Sequence, residues 1–498
     1  MNLHHHLRFV LVILAAGLSC TTLLSQETEY QKWLKKEQER LNQFKEERDK
    51  EFAAFLKLEW KEVKAYSGFI RDEKPEPDKI PSYENKILNR PEAKSSPAHL
   101  QRPPEEKNNI GVAPRAEFKT ESEQGSGRVT VQAPFVNSIV EFQVDQAVLP
   151  RLDRITKEGI SDFWEALSRV HYEPVLVEAA AYRNKMKLND WGYVLLVHSV
   201  ADKLSDGSRN ESILFTWFLL LKSGYDARIG FKADRVFLLL PTANMLYHVP
   251  YFSFKDKNSE RLYYAVSLKE GEEQLVGSLF SYDGKYRDAD RLVDFAVPET
   301  PKIKDLSESK TLHFDYGGET YVVPIRYSRD AVQFFLWYPQ TNFEVYFSAS
   351  PSVQATQSLF SGFRTILQDR TELEAVNVLL RFCQTAFRYA TDQQQFGREK
   401  PFFPDETLFY DASNCKHRAV LFSYLVRSLL GLDVVGLDYP GHISTAVRFS
   451  TDLPGDSVIV RDRKYIICDP TYVNADAGVC MPQFKSVKPN IIDFAHRQ

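Results

Sequence analysis

Three residues in the stretch 411–472 have the types and the order of a nucleophile, a base and an orienting carboxylate. Cys415 opens a run in which Val420, Leu421, Tyr424, Leu425 and Leu429 make one apolar stripe and Gly431 a natural stop, a pattern that predicts a helix with Cys415 in its first turn. Only the thiolate of a cysteine is a good nucleophile, and the positive end of a helix favours it. His442 opens the strand-like run HISTAVRF, and Asp469 ends another, KYIICD, just before Pro470. An imidazole within reach of the thiol keeps it ionised and later protonates the leaving group, while a carboxylate on the other ring nitrogen fixes the tautomer. Cys415, His442 and Asp469 are therefore the candidate catalytic residues.

Other readings of the same residues compete with this one. A lone cysteine in a helix is most often a packing residue. His417 is a rival base, but residues two apart on a helix do not share a face, and it reads as a surface histidine. A zinc site from Cys415, His417, His442 and Cys468 lacks any C-x-x-C or H-x-x-H pairing, so no metal and no cofactor is assigned. Gln393, Gln394 and Gln395 precede the nucleophile and are polar enough to donate to an oxyanion, yet polar loop residues are usually only solvated. Cys383 falls on the apolar face of a helix predicted over 372–389, and Cys468 with Cys480 is the plausible disulfide.

The segment DASNCKHRAVLFSYLVRSLLG, followed by the strand carrying His442 and by Asp469-Pro470-Thr471, resembles the catalytic core of the transglutaminase-like superfamily, relatives of papain-type cysteine peptidases. The resemblance covers roughly residues 370–485, and Ala419, Gly431 and the Asp-Pro-Thr triplet also fit its pattern. It implies a Cys-His-Asp triad at Cys415, His442 and Asp469, acting by acyl transfer at amide bonds. Two positions depart from it. His417 stands where the family often has an acidic residue, and Ile443 where an aromatic usually follows the histidine.

The elements that must position these residues follow from the rest of the chain. At 498 residues there is material for two or three buried cores, and a net charge of −4 gives no electrostatic footprint for nucleic acid. The apolar run Leu7–Leu18 behind Arg8 reads as a signal peptide over 1–25, with Cys20 as a candidate for lipid attachment and hence for membrane anchoring. Residues 27–68 read as a charged helix whose broken heptads suit docking on a partner better than a coiled coil, and 69–128 as a disordered Pro-rich linker with an apolar island at Ile80-Pro81-Ser82-Tyr83. Over 306–352 the runs TLHFDY, TYVVPIRY, VQFFLWY and FEVYFSA read as a four-stranded β-meander, and residues 353–498 as the catalytic domain.

A second copy of the helix-plus-strand unit is visible over 129–300. Leu214-Phe215-Thr216-Trp217 and Gly224-Tyr225-Asp226 lie on Leu421-Phe422-Ser423-Tyr424 and Gly431-Leu432-Asp433 at a constant offset of 207. Ser208 then takes the place of Cys415 and Ser267 that of Asp469, with His248 a loose counterpart of His442, so this module reads as degenerate. The expectation is an exported α+β protein of the cell envelope or periplasm, with a duplicated transglutaminase-like core. It would act on a peptide, protein or peptidoglycan-type amide as a peptidase, amidase or transglutaminase. The alternative is an inactive protein of the same fold used for binding or as a scaffold.

Overall fold

The computed structural model describes residues 4–58, 60–70, 77, 79–83, 94–103, 128–145, 149–256, 259–269, 275, 277–304 and 306–494. Side chains of the first 29 residues are outside that description, and with them the signal peptide and Cys20. No helix among the described residues is long and apolar enough to cross a membrane. The chain falls into two compact units, Met1–Trp60 with Pro150–Val170 and Lys61–Leu149 with His171–Gln498.

The smaller unit is two helices. α1 (His4–Leu58) ends ten residues before the charged run does, and only its C-terminal part buries an apolar face. There Phe52 meets Trp164 of α2 (Lys157–Ser168) edge-on at 4.8 Å, Ser161 Oγ donates to the Ala53 carbonyl at 2.7 Å, and Lys57 pairs with Asp162. Trp33, Leu34, Leu41 and Phe44, upstream on the same helix, are exposed.

The larger unit contains two antiparallel sheets, each laid against a buried helix. After the edge strand β1 (Trp60–Lys64) and the hairpin β2 (Arg128–Phe135) with β3 (Ser138–Asp145) come α3 (Glu173–Lys185), α4 (Asp190–Leu204) and α5 (Arg209–Lys222). The first sheet follows: β4 (Arg228–Lys232), β5 (Arg235–Pro241), β6 (Tyr251–Asp256), β7 (Ser259–Ala265) and β8 (Ser278–Tyr282). With β1 its order is β1-β8-β4-β5-β7-β6.

Of the four strands read over 306–352, two are helices. β9 (Ser307–Tyr316) and β10 (Glu319–Ser328) form a hairpin about Gly317-Gly318, but VQFFLWY lies in α6 (Arg329–Phe335) and its exit, and FEVYFSA in α7 (Phe343–Ser348). Ser328 caps α6 by accepting from the Ala331 N–H, and Asp330 in the first turn accepts from the N–H groups of Lys304 and Leu306. In short segments with most of their side chains buried, period does not readily separate strand from helix. Phe334, Phe335, Phe343, Tyr346 and Phe347 are all buried, and aromatic richness was misleading.

The remaining elements lead to the second sheet. They are α8 (Val353–Leu367), α9 (Glu372–Thr385), the short parallel pair β11 (Arg388–Tyr389) and β12 (Ala412–Ser413), α10 (Asp392–Phe396), α11 (Pro404–Phe409) and α12 (Cys415–Leu425). α12 runs on as a π-helical turn, Val426–Leu430, and stops at Gly431, whose φ of 69° is the left-handed conformation a side chain would resist. Then come β13 (Asp433–Tyr439), β14 (His442–Arg448), β15 (Ser457–Val460), β16 (Arg463–Cys468) and β17 (Asn490–Ile492), ordered β15-β16-β14-β13-β17. One face of this sheet carries Val435, Leu437, Tyr439, Ala446, Tyr465, Ile467 and Cys480, and α12 packs on β13 and β14.

Strand for strand, this is the order of β6-β7-β5-β4-β8 in the first sheet, and each sheet follows its helix in the chain. The offset of 207 carries His442, the first residue of β14, onto Arg235, the first residue of β5, and not onto His248, which sits in a loop at φ 58°. Thr445 pairs with Cys468, and the β5/β7 register continued by one residue pairs its counterpart Leu238 with Val266, so Ser267 falls where Asp469 does.

Earlier in the chain than strands β4–β17, described segments of the Pro-rich stretch and of the residues just before it pair with folded elements. Tyr66 bridges to Tyr251, Phe69 to Tyr247, Ser82 to Val473 and Pro97 to Thr371. These described parts, the apolar island at Ile80-Pro81-Ser82-Tyr83 among them, are straps on folded elements. They can dock because each segment supplies main-chain hydrogen bonds and an aromatic or proline contact, so little apolar content is needed.

Candidate active site

Cys415 owes its place to the residue before it. Asn414 caps α12, its side-chain oxygen accepting from the His417 N–H, and its amide group donates to Asp392 Oδ1 at 2.7 Å. Asp392, buried at the start of α10, also accepts from the Lys400 N–H at 2.9 Å and pairs with Lys416 at 3.0 Å. Cys415 is therefore the first helical residue, held from two sides, and only 2% exposed.

His417 is not the surface histidine expected. It is fully buried, its ring stacked on Phe402 at a centroid distance of 3.6 Å. Nε2 donates to the Lys400 carbonyl at 2.9 Å, and Nδ1 accepts from the Asn414 N–H at 3.3 Å, the partners of a neutral ring. Burial, reinforced by Lys416, holds its pKa well below the usual histidine range. It completes a capping box from the third helical position, where Glu or Gln usually serves, and the i, i+2 argument described its helix face but missed that role.

His442 stands at the end of a two-residue hairpin in which Pro440 and Gly441, the latter at φ 72°, supply the conformations of a type II turn. Its ring lies parallel to Phe484 at 5.1 Å, and Tyr439 also stacks on Phe484, at 4.7 Å. Nε2 is 2.8 Å from Asp469 Oδ2. The same imidazole is hydrogen-bonded to Cys415, and with Nε2 engaged, Nδ1 is the nitrogen left for the thiol. Burial works against the imidazolium, but the Asp469 charge and hydrogen bond, together with Cys415, outweigh it and raise the pKa to about 10.

Asp469 follows the last residue of β16. Its Oδ1 accepts from the backbone N–H groups of Thr471 at 2.9 Å and Tyr472 at 3.2 Å, which aims Oδ2 at His442. Gln384 of α9 donates to the Asp469 carbonyl at 3.0 Å and to that of Ala475 at 2.9 Å, fixing the loop from the other side.

Arg418 lies one turn beyond Cys415 and is fully buried. It donates to Ser413 Oγ at 3.0 Å and to the carbonyls of Gln384, Phe387 and Arg388 at 2.8, 2.8 and 3.1 Å. Burial brings its pKa down to about 10, so it remains a cation at neutral pH in the field of Cys383, Tyr389, Cys415 and Asp469.

The other thiols differ from Cys415. None of Cys383, Cys415, Cys468 and Cys480 is in a disulfide, so the bridge expected between Cys468 and Cys480 is absent. Cys480 packs on the face that holds Tyr465 and Ile467, and Cys468, next along β16, points to the opposite face. Burial pushes Cys383 and Cys468 far above the ordinary thiol range and Cys480 up to about 11. Cys468 and His417 are thus committed away from Cys415, as no zinc site would have them, and among the described residues no three His, Cys, Asp or Glu side chains are grouped to hold a metal.

The glutamines before the nucleophile also lie elsewhere. Gln394 closes the capping box of α10 with Thr391, Gln395 donates to the Ala390 carbonyl, and Gln393 is exposed. Asn414, Asp392, Arg418, Gln384 and Phe484 carry supporting roles that were not read from the sequence. Only Asn414 had a signal there, as an N-cap type directly before an apolar-periodic run. Comparison of the chain with protein-family models, with curated proteins and with solved structures gives no match in any of the three.

Proposed function

We propose that the chain is a cysteine-dependent acyl-transfer enzyme with a transglutaminase-like core, in which Cys415 is the nucleophile, His442 the general base and acid, and Asp469 the orienting carboxylate. The observation that carries this reading is one buried imidazole joined at Nε2 to Asp469 at 2.8 Å and hydrogen-bonded to the thiol at the start of a helix. The equal strand order of the two sheets supports a duplication in which the first copy, with Ser208, Arg235 and Ser267 at the three positions, has no triad.

In the reaction the Cys415 thiolate attacks an amide carbonyl carbon, and the oxyanion forms at the positive end of α12. His442 transfers its Nδ1 proton to the amide nitrogen, the C–N bond breaks, and the amine leaves a thioester on Cys415. Water or a second amine then attacks that carbonyl while His442 takes its proton, and cleavage of the C–S bond restores the thiolate–imidazolium pair. Asp469 stabilises the imidazolium and keeps Nδ1 turned to the sulfur. Arg418 supplies a fixed positive charge behind both. Leu7–Leu18 supports export to the cell envelope as the setting, with an envelope peptide or peptidoglycan-type amide as substrate.

A second reading, a binding or scaffold protein that keeps the fold without turnover, is favoured by the 2% exposure of Cys415. Acylation by a p-nitrophenyl ester separates the two. The enzyme gives a burst with one acyl group on Cys415 in the intact mass, absent in Cys415→Ala. A native chain whose thiols acylate no faster than those of the unfolded chain at pH 7 is a scaffold.

A further inference from the structure

The described strap Lys79–Tyr83 lies against the loop that holds Asp469. Ser82 makes a parallel bridge with Val473: the Tyr83 N–H donates to the Val473 carbonyl at 2.7 Å, and the Val473 N–H donates to the Pro81 carbonyl at 2.9 Å. The Tyr83 ring meets Tyr472 edge-on at 5.6 Å and packs with Phe484 on a buried cluster of Tyr472, Ala475, Val479 and Met481. Two short links join this surface to the candidate triad. Tyr472 donates its N–H to Asp469, and Phe484 is the ring stacked on His442.

The chemistry of this surface is that of extended-peptide recognition. One residue of main chain, Val473, offers both a donor and an acceptor to a chain running alongside, which is recognition by strand addition and is blind to side chains. The aromatic shelf beside it supplies the side-chain preference. Val473 lies outside the five strands of the sheet, so pairing there is not required to complete it. The occupant is a segment from nearly four hundred residues away in sequence, with a proline that pre-sets the extended backbone.

We propose that the Val473 edge and the Tyr472–Phe484 shelf form a docking subsite for an extended polypeptide bearing an aromatic residue, that the acyl-donor substrate is such a polypeptide, and that Lys79–Tyr83 occupies the subsite in the resting chain. The inference rests on the reading of Cys415, His442 and Asp469 as the reacting group, and it narrows the amide substrate to polypeptide. It also accounts for a nucleophile that is buried in the strapped chain: the residues that cover His442 are the ones on which Tyr83 sits.

The test is binding of a fluorophore-labelled peptide spanning residues 77–86, followed by anisotropy. The protein is the full chain, unaltered or carrying Tyr83→Pro, which removes both the ring and the N–H that Val473 accepts; Tyr83→Ala, which removes the ring alone, is the second variant should the first unfold. A tethered segment competes at an effective concentration on the order of millimolar, so the peptide is expected to bind the variant at least about tenfold more tightly than the unaltered chain. A peptide with alanine in place of its tyrosine is expected to lose that binding. Equal affinity for both chains, absence of saturable binding to both variants, or indifference to the tyrosine overturns the proposal. Repeating the titration with Cys415→Ala added separates the two readings. Unchanged binding there holds the subsite whatever the thiol does, and a Cys415 that acylates in a chain that binds no peptide removes the subsite and leaves the triad.

Discussion

Asp469→Asn is the most informative single change, because the structure dictates how the new side chain must sit. Oδ1 of Asp469 accepts two backbone N–H groups, from Thr471 and Tyr472, so the asparagine oxygen is held there and its NH2 group is left facing His442. That group donates to Nε2, which makes the ring carry its proton on Nδ1, and a neutral ring of that tautomer cannot take a proton from Cys415. The electrostatics act in the same direction. His442 is raised to about 10 against burial, chiefly by the Asp469 charge and hydrogen bond, and without them burial is left as the largest influence and favours the neutral ring. From an ordinary histidine value of 6.5, the rise corresponds to on the order of 5 kcal/mol of preference for the imidazolium, a net figure left after burial has been offset.

The assay is the rate of Cys415 alkylation by iodoacetamide from pH 5 to 10, followed by intact mass, with thermal unfolding measured over the same range. In the unaltered chain the imidazolium persists to about pH 10, so a cation stands beside the thiol across this range. In the variant the thiol has no cation across Nδ1, and its alkylation at pH 6.5 is expected to be at least about tenfold slower than in the unaltered chain. The stability profile has a definite sign. A histidine raised on folding contributes stability that is complete below about pH 6.5 and is lost as pH rises through about 10, so the unaltered chain should weaken across that window. The variant should not show that decline. Superimposable alkylation profiles for the two chains would refute the coupling of Asp469 to the thiol through His442.

Cys415→Ala is expected to abolish turnover with little loss of thermal stability, and His442→Ala to be nearly as severe, since neither thiol activation nor leaving-group protonation survives it; near-normal turnover by His442→Ala would return the site to the scaffold reading. Arg418→Met leaves the carbonyls of Gln384, Phe387 and Arg388 without their buried donor and should cost about 3 kcal/mol or more in denaturant unfolding, at about 1–3 kcal/mol for each buried group left unsatisfied. Asn414→Ala removes the α12 cap and the donor to Asp392, and a loss of about 1–2 kcal/mol is expected, with slower alkylation of Cys415. Gly431→Ala combines left-handed strain at φ 69° with a Cβ 2.6 Å from the Gln101 side-chain nitrogen, so a loss of about 1–3 kcal/mol is expected, unless Gln101 swings clear and the lower figure holds.

The positions of Cys415, His442 and Asp469 on their elements were legible because each depends on local pattern: a 3.6-residue stripe closed by Gly431, and two strand-like runs. What surrounds them was not. Asp392, Lys400, Glu406 and Arg418 are charged residues, for which exposure is the ordinary expectation, yet all are buried here. They are tolerated because each is answered. Lys400 pairs with Glu406 at 2.6 Å and donates to the Phe335 carbonyl, and Arg418 spends its donors on three carbonyls and a hydroxyl. Partners brought together by tertiary packing leave no periodic trace, so His417 was read from its helix position as exposed when Phe402 and the Lys400 carbonyl enclose it.

The likeness between the halves shows the same division from the other direction. Matching Leu214–Trp217 to Leu421–Tyr424 rests on buried helix faces, which each helix needs to cover its sheet, and the offset of 207 comes from a few identities. The strands that follow share an order but few residues. A sheet position asks only for an apolar or aromatic side chain on the covered face, so β5 and β14 diverge freely while their pairing stays. His248 was chosen as a counterpart because it was a histidine, and register, which counts residues from the turn, chooses Arg235 instead. An arginine remains protonated at any pH where the fold survives, so it cannot take a proton from Ser208, and Ser267 is exposed and carries no charge. At these three positions the two sheets differ in chemistry, and so they do at the cap and the buried cation that hold one of them, where Gly207 and Glu211 stand in place of Asn414 and Arg418. What the two sheets share is a buried helix ahead of them and the strand order, and those are features that packing selects.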